Sequence, residues 1–504
     1  MNATCFKYNP RMKQLLNDDR MKDHRVLGTL MFLAFSILVS NVWKRRKVQK
    51  NEARGKDSLL PPFAPGNMKL HVQKLTSTEF PFWLVSVVQK LGHQIFQVRL
   101  PFGRKLYFVG SSAVAREILL DPKSTKPDEI YKPIRAVNGG NPTMFTLDGK
   151  EWHPPRKSCA PAFSSNHVKR MTQVALEKTE EWIQEYLLKY IANNESFDIA
   201  HEIVCVVLIA IMETAFEYSM TREQVETLSN EIELALMEFA LKTGSNPLRK
   251  PFGLLIPERQ RAFKAVAYIR QIAFEVMDNY RKLKQPTKGT IIQRIMDSDD
   301  AFPNDDLKAA QLIEFIIAGS DTTSYSIAFI LLELAKHPKE QQELRKSLLE
   351  LPSEKNFGDS EMLHLVIKEV MRLNPVSSGG SIRKIGRDVV YERHGQKMEI
   401  PKDSVVWIPF LLFFRDEAIF DSPTKFAPKR WINPTRDMLD ALIPFSLGKQ
   451  NCIGQSLAKA EMQSIVSRII SEFELILEDE GSVSYFLTLK PVGARLKARK
   501  LSEN

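Results

Sequence analysis

Phe445-Ser446-Leu447-Gly448-Lys449-Gln450-Asn451-Cys452-Ile453-Gly454-Gln455-Ser456-Leu457-Ala458 is the stretch on which the reading of this 504-residue chain turns. A glycine-containing loop presents a cysteine immediately before a run of helix formers. Gly448 supplies the freedom for a tight turn. The start of a helix offers free N–H groups and positive dipole potential, both of which favour a thiolate at Cys452. Such a sulfur can ligate haem iron and push electron density onto it, favouring O–O cleavage. Gly454 would let the helix approach a porphyrin closely. A lone cysteine is more often a buried structural residue, so the assignment depends on what surrounds it.

The other cysteines, Cys5, Cys159 and Cys205, lie far from Cys452 and from one another, with no C-x-x-C pair. That spacing argues against a disulfide framework or a zinc knuckle and for a reducing compartment. The net charge of +11 invites a nucleic-acid reading, but nine of those charges fall within residues 1–56. The rest of the chain is too nearly neutral for a phosphate-binding footprint, so no nucleic-acid partner is expected.

Residues 26–43 (VLGTLMFLAFSILVSNVW) hold no charge and are flanked by basic clusters, with Trp43 at the boundary. Eighteen helical residues span ~27 Å, close to the hydrocarbon thickness of a bilayer. No small-residue cleavage site marks a signal peptide. The expected organisation is a tail at 1–25, a single transmembrane anchor at 26–43, a basic and proline-rich linker at 44–66 acting as a semi-rigid spacer, and one large domain at 67–504. The tetrad Lys44-Arg45-Arg46-Lys47 favours a cytosolic domain. An endoplasmic reticulum membrane is preferred, with plastid and mitochondrial membranes as alternatives.

Within the domain, Ile95 to Leu100 and Leu106 to Gly110 read as a hairpin turning at Pro101-Phe102-Gly103. Helical periodicity dominates from Val114 to Arg372, as in 168–192, 199–216, 260–283 and 307–336. Strand signals return at 389–392, 397–400, 404–408, 485–489 and 494–497. The fold class is therefore mainly α with small β-sheets.

Three further stretches gain meaning beside the cysteine loop. In Lys368-Glu369-Val370-Met371-Arg372, Glu369 and Arg372 are three apart and meet on one helix face. An exposed ion pair is the plainer reading. Ala318-Gly319-Ser320-Asp321-Thr322-Thr323 interrupts an apolar helical pattern with poor helix formers, which suggests a kink or a functional site. A helix-packing notch is the alternative. Trp152 and Arg156 form W-x-x-x-R, whose N–H groups suit a carboxylate.

The arrangement F-x-x-G-x-x-x-C-x-G, followed by Leu457, Ala458 and Glu461, resembles the haem-binding loop of the cytochromes P450. The order Trp/Arg, Gly/Asp/Thr, Glu/Arg, Phe/Arg, Cys resembles that family over roughly residues 60–500, and the fold implied is the cytochrome P450 fold, with 67–504 as the catalytic domain. By this resemblance the chain binds haem b with Cys452 as the axial thiolate and metal ligand, and Phe445, Gly448 and Gly454 shape the pocket. Trp152, Arg156 and Arg383, eight residues after Pro375, would meet the haem propionates. Glu369, Arg372 and Arg430 of Phe426-Ala427-Pro428-Lys429-Arg430-Trp431 would form a structural cluster behind the haem. Gly319 would leave room for dioxygen, Thr322 would hydrogen-bond it, and Asp321 would help relay protons. Two positions depart from the family. Gln450 stands where Arg or His usually reaches a propionate, and Lys429 replaces an acid.

The resemblance implies a monooxygenase that inserts one oxygen atom from O2 into a lipophilic substrate. Electrons would come from NADPH through NADPH–cytochrome P450 reductase or a similar donor, since no G-x-G-x-x-G loop is present. Substrate contacts are expected from 137–145, 232–255, 377–381 and the C-terminal strands, none of which names a substrate. A family member that rearranges hydroperoxides without O2 is the enzymatic rival, disfavoured by Thr322 with Asp321. A haem sensor without turnover and a membrane-anchored helical scaffold are the rivals from other classes.

Overall fold

The computed structural model describes residues 60–243, 249, 251, 253–352, 359–393, 395–485 and 487–501. The expected anchor at 26–43 lies outside the described residues. Two long helices occupy the centre. Ile199–Phe216 is apolar on almost every face and is buried along most of its length. It packs along Asp305–Lys336, whose start is capped by the Asn304 side chain accepting from Leu307 N at 2.9 Å. Asp305 and Asp306 in the first turn complement the helix dipole. Both helices are long and apolar enough to cross a membrane, but their burial makes them core helices.

The Asp305–Lys336 helix runs without a break through Ala318 to Thr323. The hydroxyls of Ser320, Thr322, Ser324 and Ser326 each donate to the carbonyl four residues back, at 2.6–2.7 Å. The poor helix formers thus satisfy their polar groups inside the helix, and the kink suggested by composition is not formed. Helix Gln455–Glu472 packs on this element and on Ser165–Trp182. Helix Glu361–Leu373 packs there through Leu363, Val366, Ile367 and Val370. The expected 168–192 helix is present but passes through a π-helical turn at Ile183–Leu187.

A buried carboxylate ties four of these helical segments together. Glu202 accepts from Trp182 Nε1 at 2.6 Å, from Tyr190 Oη at 3.0 Å and from both terminal nitrogens of Arg222 at 2.7 and 3.0 Å. Burial alone would raise this carboxyl. The donors, with His201 beside them, override it and hold the group at about 2.

The sheets are small, as expected. Ile95–Arg99 and Lys105–Val109 form the predicted hairpin, and Val405–Ile408 and Ser381–Lys384 complete a four-stranded sheet. Lys105–Val109 and Val405–Ile408 pair in parallel. A second core of Phe410, Phe413, Phe414, Phe420 and Trp431 lies under it.

Two expectations are corrected, and one strand appears that was not expected. Residues 485–489 do not form one strand. Tyr485 ends the strand Ser482–Tyr485 and Leu489 begins the strand Leu489–Val492, and the two pair antiparallel. Phe473–Asp479 is a strand that follows its helix directly, with no glycine or proline to mark the change. The proline-rich end of the expected linker is docked, because Gln97 N donates to Pro62 O at 2.9 Å and Ala64 N to Gln97 O at 2.8 Å. Unpaired groups at the edge of the Ile95–Arg99 strand recruit that segment.

Candidate active site

The loop that opened the sequence reading is built by backbone geometry. Ser446 and Gly448 both adopt left-handed conformations, with φ of 61° and 75°. A Cβ at Gly448 would also lie 2.8 Å from Leu119 O, so glycine is required there twice over. Cys452 N donates to Phe445 O at 2.9 Å, and Asn451 N to Gly448 O at 3.2 Å, closing the loop just before the Gln455–Glu472 helix. The Cys452 sulfur opens into a cavity of about 360 Å³. Burial pushes its thiol up, against the pull of the Gly454 N–H and of Arg156. The helix start therefore does not by itself make the thiolate expected from the sequence. Metal coordination deprotonates a thiol outright.

The facing wall belongs to Asp305–Lys336. Ala318, Gly319, Thr322 and Thr323 line the same cavity as Cys452. A Cβ on Gly319 would stand 3.0 Å from Ile211 Cδ1, so this glycine is also a packing notch between the two central helices. Asp321 is not brought to this wall. One residue along a helix turns ~100°, and Asp321 faces a separate small cavity with Tyr325, Glu233, Leu487, Thr488 and Lys490. Burial pushes its carboxyl up to about 7. Asp321, expected to help relay protons, thus stands on the side of this helical turn away from the cavity that Thr322 lines.

Cations gather at one end of the cavity. Trp152 and Arg156 line it from helix Gly149–Cys159, with Arg156 donating to the Asn451 backbone and side-chain oxygens, both at 3.0 Å. Arg383 is buried on the same strand face as Ser381, which lines the cavity. Arg383 itself stops short of the wall and donates to Ile382 O at 2.9 Å. Gln450 donates to Asp148 Oδ1 at 2.6 Å. Lys126, passed over in the sequence, lines the cavity here too.

Behind the thiolate loop, Glu369 is fully buried and accepts five hydrogen bonds. Arg372 Nη2, Arg430 Nε and Ala427 N reach Oε1 at 2.7, 3.0 and 3.0 Å, while Arg372 Nε and Trp431 Nε1 reach Oε2 at 3.0 and 2.9 Å. Arg372 spends its remaining donors on the carbonyls of Phe414, Pro423 and Lys425. The structure thus brings Glu369, Arg372 and Arg430 together. Lys429 pairs with Glu343 at the surface instead.

The residues present fit a flat, dianionic group with a metal at its centre. The sulfur enters the cavity, the remaining walls are largely apolar, and the cations sit at one end. At Gly454 an added Cβ would meet only ordinary protein contacts, 3.8 Å from Phe163 and 3.9 Å from the sulfur. Any demand for glycine there comes from what fills the cavity.

Glu314 and Glu461 also line the cavity and were missed as site groups. Burial raises the Glu314 carboxyl, which accepts from Phe145 N at 3.0 Å, and pushes Glu461 up to about 8. The signal for Glu314 was a lone acid in the apolar run Leu312-Ile313-Glu314-Phe315-Ile316. Of the expected substrate stretches, 137–145 and 377–381 reach the wall, through Met144, Phe145, Ser377 and Ser381. Among the described residues, 232–255 and the C-terminal strands do not. Leu487 and Thr488 meet helix Arg222–Leu236 around Asp321 instead, outside the main cavity.

Comparison with known proteins gives one consistent result. The family model described as Cytochrome P450 matches residues 60–498. The chain is similar to cytochrome P450 4d8 of Drosophila melanogaster, 26% identical over 77% of this chain and 89% of the relative. It is similar to human cytochrome P450 3A7, 26% identical over 73% and 78%. A probable cytochrome P450 508C1 of Dictyostelium discoideum is 22% identical over 92% and 98%.

Proposed function

The chain belongs to the cytochrome P450 family, and from that premise we propose that this monooxygenase inserts one oxygen atom from O2 into a lipophilic organic substrate, with electrons drawn from NADPH through a partner reductase. One observation carries the reading. Cys452 and the Ala318, Gly319 and Thr322 wall share a single cavity, so the sulfur that would ligate haem iron and the Thr322 hydroxyl stand in one place. When bound, haem supplies the iron that binds and activates dioxygen.

The chain's own residues do the rest. Cys452 Sγ would ligate the iron, while Trp152 and Arg156 would hold the haem carboxylates at the cationic end. Glu369, Arg372 and Arg430 fix the segment that leads into the thiolate loop. Thr322 donates to Ala318 O at 2.7 Å. Its oxygen is thereby oriented to accept a hydrogen bond, and rotation makes it a donor. Asp321, at about 7, is poised to exchange protons on the outer side of the same helical turn. Met144, Phe145, Phe315 and Ile211 offer an apolar surface to substrate and help exclude water. Residues 26–43 anchor the chain in the endoplasmic reticulum membrane with the domain in the cytosol, where a membrane-bound reductase meets it.

The test is the carbon monoxide difference spectrum of the reduced full chain, followed by turnover with NADPH and a reductase on a lipid and terpenoid panel. A strongly red-shifted Soret band, lost in Cys452→Ala, is expected, with oxygenated product from at least one panel member. A folded preparation without that band overturns the reading. A band with no reductase-dependent product leaves haem binding but refutes the monooxygenase assignment.

A further inference from the structure

Five charged side chains, Lys126, Arg156, Arg383, Glu314 and Asp148, gather near the end of the cavity at the start of helix Gly149–Cys159, and among the described residues none of the three cations forms an ion pair. The Lys126 ammonium donates to the carbonyls of Phe145, Leu147 and Met144 at 2.8, 3.2 and 3.3 Å. Among the described residues no carboxylate stands within ion-pair distance of it. Burial, and then Arg383, lower its pKa to about 8, with Arg156 adding to the repulsion. Of the two nearby acids, Glu314 is itself pushed towards its neutral form by burial. Asp148 is occupied by other donors. It accepts from Gly149 N and from Gln450, each at 2.6 Å, and from Lys126 N. Two cations on the wall, Lys126 and Arg156, with Arg383 buried behind it, thus gather at one end of a cavity with little negative charge to balance them. Such an arrangement is costly unless an anion completes it.

We propose that Lys126 holds a haem carboxylate in this protein, taking the place of the basic residue that Gln450 has replaced two positions before the cysteine. The inference rests on the haem-binding reading above. Gln450 carries no charge, and one of its amide hydrogens is committed to Asp148. Asp148 in turn grips the Lys126 backbone, the first turn of the helix that bears Trp152 and Arg156, and the thiolate loop through Gln450. Gln450 and Asp148 are therefore positioning residues, which set the Lys126 backbone at the mouth of the cationic end. The ammonium leaves two long bonds to neutral carbonyls for one charge-assisted bond.

The experiment compares haem loss to excess apomyoglobin from the full chain and from Lys126→Met, Lys126→Gln and Lys126→Arg. Loss from the Met and Gln variants should be about 10- to 100-fold faster, the equivalent of one charge-assisted hydrogen bond, with Arg within a few-fold of the parent. The same series is then reconstituted with haem dimethyl ester, whose propionates carry no charge. The difference between parent and Lys126→Met should collapse to near unity. A ratio that persists with the ester would show that Lys126 only braces the 144–147 loop, and would overturn the proposal. So would a Gln variant that retains haem as the parent does. If the Met variant does not fold, the ester-to-haem ratio in Lys126→Gln decides alone. Absence of the thiolate band in the parent would instead sink the haem reading, so the two failures are distinguishable.

Discussion

Replacing Glu202 by Gln removes a charge while keeping the shape, and its cost can be worked from the pKa. The carboxyl sits at about 2 in the folded protein against 4.5 unperturbed. That difference corresponds to about 3 kcal/mol at ~1.36 kcal/mol per unit. The folded pKa is depressed, so the stabilisation is fully present above pH 4.5 and is lost as pH falls towards 2. At pH 7 Glu202→Gln should therefore unfold about 3 kcal/mol more easily than the parent, and at pH 3.5 the gap should narrow to about 2 kcal/mol. Arg222 keeps a second partner in Glu226 at 2.9 Å, which prevents a larger loss. The assay is urea unfolding of the full chain in detergent, followed by far-ultraviolet circular dichroism across that pH range. Subtracting the variant from the parent isolates Glu202 from every other carboxylate. A gap below about 1 kcal/mol at pH 7 would refute the argument, as would a gap that widens on acidification. Because Glu202 ties together the helix that carries Ile211 and Ala215 into the cavity, the variant should also release haem faster.

The cluster behind the thiolate loop should be less forgiving. Glu369→Gln leaves Arg372 and Arg430 without their anion and should cost about 3–5 kcal/mol, whereas Lys429→Ala at the surface should cost under about 1 kcal/mol; chemical denaturation of both checks the contrast. Gly454→Ala should change the unfolding free energy of the haem-free protein by under about 1 kcal/mol, yet it should accelerate haem loss, because its cost arises only against the bound group. Asp321→Asn should be more stable than the parent at pH 8 and equal to it near pH 4. The folded pKa is raised to about 7 from 3.8, so the native state is penalised as pH rises through that window. Thermal melts at the two values test the sign, and equal stability at pH 8 would count against it.

The parts of this protein that could be read from the chain are those governed by short-range constraints. Glu369 and Arg372 meet because residues three apart share a helix face, and the Phe445 to Cys452 loop closes through hydrogen bonds between near neighbours. The hairpin at Pro101-Phe102-Gly103 has the same origin. What escaped were meetings between distant segments. Asp148 and Gln450 are 302 residues apart, and nothing near either one announces the other. Lys126 reads as one more surface lysine until the 144–147 carbonyls close over it. The strand Phe473–Asp479 escaped for a local reason, since its helix ends without a breaker and only tertiary pairing with Arg495–Lys500 decides its state.

Asp321 is the instructive case, because helical spacing already separates it from Thr322. Glu314, Phe315, Ala318, Gly319, Thr322, Thr323 and Ser326 all line the cavity, and their spacing is the three-and-four pattern of one helical stripe. Asp321 and Tyr325 fall off that stripe and open together onto the second cavity. Reading Asp321 and Thr322 as partners follows from their adjacency in a motif, but adjacency along a helix means divergence in space. A proton that passes from one to the other must therefore travel round the helix, because backbone hydrogen bonds fill its unbroken interior. Ser320 and Ser324 do not bridge the two, because at ~100° per residue they lie on the side of Asp321 away from Thr322 and their hydroxyls donate to carbonyls of their own helix.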